Sequence, residues 1–79
     1  MPTNFEKLIQ YFKDKYYDEK ELITNELEFK ELFLSKINSE RQNYSHVYRL
    51  FAYHGFLVPH SKDKFVLHLD KIRNYSGGL

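Results

Sequence analysis

The 79 residues predict a mainly α-helical domain closed by a C-terminal β-hairpin, an α+β fold of three helices and two strands. Two observations predict it. Apolar residues recur at helical spacing in three separate segments, and the last of these stops at Gly55, after which FLV and then a period-two run read as strands. No internal repeat, low-complexity segment or linker divides the chain, so one domain over 1–72 is expected, with a flexible tail over 73–79.

In the first segment Thr3 and Glu6 have the spacing of a capping box, and Phe5, Leu8, Ile9, Phe12 and Tyr16 follow on one face. A helix to about Tyr17 is predicted. The stretch DEKELITN is charged and then briefly β-favouring, either a short strand or the start of another helix. Asn25 and Glu28 are a second cap and capping partner, ahead of Leu27, Phe29, Leu32, Phe33 and Ile37, which predicts a helix to about Lys36 or Ile37. INSERQN breaks the pattern, with Ser39 as the expected new N-cap. The third helix, about 40–54, then places Tyr44, Val47, Tyr48 and Phe51 on one face. Gly55 supplies the left-handed conformation that commonly ends a helix. Pro59 cannot donate to a ladder, so the strand opened by Phe56, Leu57 and Val58 is an edge strand or ends there. SKDK is a short polar turn, and Phe65, Leu67 and Leu69 alternate with Val66, His68 and Asp70 as a second strand. The expected core is Phe5, Leu8, Ile9, Phe12, Leu32, Phe33, Val47, Phe51, Leu57, Phe65 and Leu67. An all-helical bundle carrying a C-terminal hairpin is the competing arrangement.

A chain this short buries only roughly 60% of its unfolded surface, so large rings must hold the core together, and seven Phe and seven Tyr are available. The absence of cysteine excludes disulfides and thiolate zinc sites and suits a reducing, cytoplasmic setting. MPTNFEKLIQ lacks the pattern of a signal peptide, and no segment approaches a membrane span, so no membrane partner is expected. Charge is divided unevenly: residues 1–40 hold six Lys against nine Asp or Glu, a net −3, whereas 41–79 hold six Lys or Arg against two Asp, a net +4. Such asymmetry points to an anionic partner for the second half.

Helix, helix, turn, helix, glycine, strand, short basic turn, strand is an order that resembles a winged helix-turn-helix domain over roughly residues 27–69. The most specific piece is VYRLFAYHGFLVP, in which Val47, Tyr48, Arg49 and Phe51 resemble the end of a recognition helix, and Gly55, Phe56, Leu57 and Val58 the opening of a wing. The resemblance implies three helices plus a two-stranded wing and a DNA-binding activity.

The residue types fit that activity. Arg41, Gln42, Asn43, Ser45, His46 and Arg49 lie on the exposed side of the predicted third helix and carry the donors and acceptors that read base edges. Lys62 and Lys64 flank Asp63 at the hairpin tip, where phosphate or minor groove would be met. The expected function is therefore a small DNA-binding transcriptional regulator, with double-stranded DNA and a second copy of the chain as partners. Exposed Tyr11, Tyr16 or Tyr17 would offer the dimer surface. The reading from a different class is a non-enzymatic interaction module, such as a phage or plasmid product that inhibits a host protein, presenting Asp18, Glu19, Glu21, Glu26, Glu28 and Glu31 to a basic protein surface. No glycine-rich phosphate loop or activated nucleophile is visible, so no catalytic residue and no cofactor are expected. Of the four histidines, His60 and His68 are the pair that would face each other across the hairpin, but two imidazoles alone make a poor zinc site and no metal is expected.

Overall fold

The computed structural model describes residues 3–75, and within them the chain is an α+β domain of four helices and a three-stranded antiparallel sheet. The elements run α1 (Asn4–Lys15), β1 (Leu22–Thr24), α2 (Glu26–Lys36), α3 (Arg41–Tyr53), β2 (Leu57–Ser61), β3 (Lys64–Leu67) and α4 (Leu69–Arg73). The strands lie in the order β1-β3-β2.

Local chemistry sets most of the boundaries. The Thr3 hydroxyl accepts from the Glu6 amide and the Glu6 carboxylate accepts from the Thr3 amide, so two orphan donors of α1 are satisfied reciprocally. Asn25 caps α2 through the Glu28 amide, but the Glu28 carboxylate meets Thr24 Oγ1 instead of closing a box. At α3 the expected Ser39 cap is corrected: Glu40 holds the N-cap position without a side-chain bond, and its amide donates to Oδ1 of Asn38, two residues before it. The far end of α3 closes as a Schellman motif. Gly55 takes φ +75°, its amide donates to Ala52, the Phe56 amide donates to Phe51, and the Phe51 and Phe56 rings meet edge to face.

Three expectations about elements change. The LIT stretch takes the strand alternative, pairing Leu22 with Leu67 and Thr24 with Phe65, so the sheet has three strands where two were expected. The expected hairpin strand ends at Leu67, because Leu69 and Ile72, three residues apart, are both buried as the inner face of α4. That turn gives a fourth helix where an extended run and a tail were expected. Its Arg73 guanidinium donates to the carbonyls of Tyr16 and Glu19, while the Asp70 amide donates to the Lys20 carbonyl. Tyr75 packs its ring on Phe5, His54 and Phe56, so 73–75 of the expected tail belong to the folded body, and 76–79 lie outside the described residues. Pro59 sits within β2, which it can do because β2 is an edge strand, and the pairing slips between Pro59 and Ser61.

One hydrophobic cluster joins all these pieces. Phe51 is fully buried and its ring meets those of Phe5, Phe12, Phe29 and Phe56 at 5.4–6.2 Å. Phe29, Tyr44, Phe56, Leu69 and Ile72 join the expected core residues, whereas Leu32 and Phe65 are only half-buried against it.

Candidate functional site

α3 turns Tyr44, Val47 and Phe51 into the core, and at 100° per residue the opposite face must carry Gln42, Ser45, His46, Arg49 and Tyr53. All five are exposed, as is Arg41 in the first turn, whereas Asn43 is half-buried on the flank toward α1. Tyr53 is 84% exposed, more open than any other large hydrophobic side chain described, and ordinary helix periodicity in the sequence places it beside Arg49. The Gln42 amide is held by the Glu40 carboxylate at 2.9 Å, which orients it along the start of the helix. Asn43 and His46 also border a cavity of about 340 Å³ between this helix and Thr3–Phe5.

The hairpin tip lies along another flank of α3. Tyr48 stacks at a tilt on Phe65, 6.1 Å between centroids, and a groove of about 590 Å³ runs from Tyr48 to Ser61–Phe65 and to Asn25–Leu27 at the start of α2. Lys62 and Asp63 form the turn itself, and Lys64 opens β3. Burial, then the nearby Glu26 carboxylate, raises the pKa of the Tyr48 hydroxyl, so it stays a neutral donor in that groove at all ordinary pH.

Of the six cations in the second half of the chain, four therefore sit on α3 and the hairpin tip, and two sit on α4. One of the α4 pair is occupied by the backbone and the other is exposed near the end of α3. Arg73 is spent on backbone carbonyls, and Lys71 Nζ lies beside Gly55, 3.5 Å from where a Cβ would stand. Carboxylates intrude on the basic side, since Glu26 and Asp63 share the groove with Lys62 and Lys64.

His60 and His68 do not face each other, because the β2–β3 register pairs Leu57 with Leu67 and leaves the two histidines at opposite ends of the hairpin. Among the described residues no group of three or more His, Asp or Glu side chains is placed to hold a metal ion, and no helix is long and apolar enough to cross a membrane. Tyr11 and Tyr16 are half-buried against the core, and only Tyr17, beyond the end of α1, is open at 74%. No family model, curated protein or solved structure matches the chain.

Proposed function

We propose that the protein binds double-stranded DNA in the manner of a winged helix-turn-helix domain, with α3 in the major groove and the β2–β3 hairpin as the wing. The observation that carries this reading is one exposed helix face bearing Gln42, Ser45, His46 and Arg49 on the helix whose flanking Tyr48 packs against the hairpin that bears Lys62 and Lys64 at its tip. The element order through β3 and the sheet order β1-β3-β2 support the fold part of it. The role follows from the chemistry of each group. Arg49 is long enough to grip guanine O6 and N7 with two donors, Gln42 and His46 offer donor and acceptor to neighbouring bases, and the two lysines neutralise phosphate. A transcriptional regulator acting as a homodimer is the natural setting, since two copies double the half-sites read.

A titration of labelled duplexes at several salt concentrations tests the reading. Arg49→Ala is expected to lower affinity for the preferred site by roughly 1–3 kcal/mol and to relax choice at one base position. Lys62→Ala and Lys64→Ala are each expected to weaken all duplexes alike and to reduce the salt slope by about one. A parent protein that leaves duplex unbound at low salt removes the proposal. The interaction-module reading would then lead, on the observation that Asp18, Glu19, Glu21, Glu26, Glu28 and Glu31 are all exposed.

A further inference from the structure

β1 is an edge strand, so one side of its backbone faces away from the sheet. Natural edges of this kind are blunted by lysine, proline or a covering loop. β2, the other edge, carries Pro59 and a register slip. β1 is blunted only by its length of three residues: it carries no proline and no slip, its sequence is Leu-Ile-Thr, and the middle residue, Ile23, is 51% exposed. Beside β1 lies a recess of about 250 Å³ between the end of α1 and α2, walled by Phe12, Tyr16, Leu22, Phe29 and Leu32, with the Glu28 carboxylate at its rim. That volume falls below the roughly 300–1,000 Å³ of small-molecule sites and suits one inserted apolar side chain.

We infer that β1 and this recess receive an extended segment of a partner protein, which adds a fourth strand to the sheet, inserts one apolar residue into the recess and presents lysine or arginine at alternate positions. Charge selects the occupant. From Asp18 to Glu31 the chain holds six carboxylates against Lys20 and Lys30, and all six are exposed. Lys15 stands at the Tyr16 wall of the recess, its ammonium lying 5.7 Å from the Tyr16 ring centroid and bonded to the Tyr11 hydroxyl. A second copy of β1 paired antiparallel about Ile23 would bring Glu21 and Glu19 of each chain toward the α2 start of the other, where Glu26 and Glu28 stand; like charges then oppose that pairing. DNA is opposed by the same carboxylates. A basic strand satisfies both the backbone and the field, with main-chain bonds supplying affinity and alternate side chains supplying choice. This surface involves no residue assigned to DNA, so the two proposals stand or fall separately.

The test uses the full chain, labelled with nitrogen-15, and three synthetic octapeptides: one alternating valine and lysine, one alternating valine and glutamate, and one of valine–lysine composition with the alternation scrambled. The alternating basic peptide is expected to shift the amides of Leu22–Thr24 and slow their hydrogen exchange, and to bind about tenfold more tightly than either control. Glu21→Lys combined with Glu28→Gln, both exposed positions, is expected to remove that preference while leaving the thermal midpoint within a few degrees. Ile23→Pro removes an amide from the strand and is expected to abolish binding, with the charge variant as the informative one where the proline unfolds the chain. Absence of shifts at Leu22–Thr24 at millimolar peptide, equal binding of the acidic peptide, or shifts confined to α3 and the hairpin would each overturn the inference. Duplex binding by the parent chain, measured in the salt series above, tests the DNA reading independently in every one of those cases.

Discussion

Tyr44 is buried within a ring of Phe29, Phe33 and Tyr48, and its hydroxyl meets no hydrogen-bond partner among the described residues. A buried donor left unpaired carries a desolvation cost that the ring's burial must offset. Tyr44→Phe keeps the ring and removes the hydroxyl, so it is expected to stabilise the protein by about 1 kcal/mol, read as a higher urea midpoint at unchanged slope. The same group links stability to pH. Burial, then Glu26 and Tyr48, raises its pKa above that of an unfolded tyrosine. The folded state thus holds its proton more tightly, the associated stability is fully present below about pH 10, and it falls as pH rises further. Tyr48 is raised in the same direction, so Tyr44→Phe is expected to shrink the loss measured between about pH 8 and pH 11 without abolishing it. At this scale the sequence shows which side a residue takes, because 100° per residue fixes the exposed set Gln42, Ser45, His46 and Arg49 once Val47 and Phe51 are inward. It does not show partners: the orphan hydroxyl of Tyr44 depends on phenylalanines of α2 that are eleven and fifteen residues away in the chain.

Most ends closed by their own residues were legible, the α3 cap excepted, whereas elements closed by distant residues were left open or missed. The α1 capping box and the glycine end of α3 are written in adjacent positions. β1 has three residues, too few for a period to declare itself, and exists because β3 offers it a ladder. α4 escapes the periodicity for a related reason: Phe65, Leu67 and Leu69 fit a strand, but Leu69 also pairs with Ile72 at helical spacing, and burial against α1 decides the matter. The β1–β3 and α4 contacts are non-local, which is why no window of sequence contains them. Gly55 gives this scale its prediction. A Cβ there would meet only Lys71 Nζ at 3.5 Å, so space is available, but φ +75° is the left-handed region. Gly55→Ala is therefore expected to cost about 1–2 kcal/mol in a chemical melt, through backbone conformation and not through a clash. A much smaller cost would mean that the Schellman closure relaxes and does not fix the approach of β2 to α3.

For the whole molecule, the uneven charge noticed in the sequence becomes a division of surfaces: exposed carboxylates beside β1 and the start of α2, and four cations on α3 and the hairpin tip. The division is incomplete where Glu26 and Asp63 enter the basic groove, and Glu26→Gln is accordingly expected to strengthen binding of all duplexes, measured in the same salt series. What unites the two surfaces is the aromatic core. Phe51 touches rings from α1, from α2 and from the segment entering β2, and no second cluster among the described residues holds any element apart from it. In a chain this small, stability of several kcal/mol rests on that cluster alone. Phe51→Ala leaves a cavity at the point where all the layers meet and is expected to cost about 3–5 kcal/mol, enough to unfold most of the protein at room temperature. The loss is expected to be cooperative, so that helical circular dichroism and near-ultraviolet tyrosine signals fall together in a thermal melt. Retention of a helical signal after the tyrosine signal has gone would show that α1 or α3 survives without the shared core, and the single-cluster description of the fold would then be wrong.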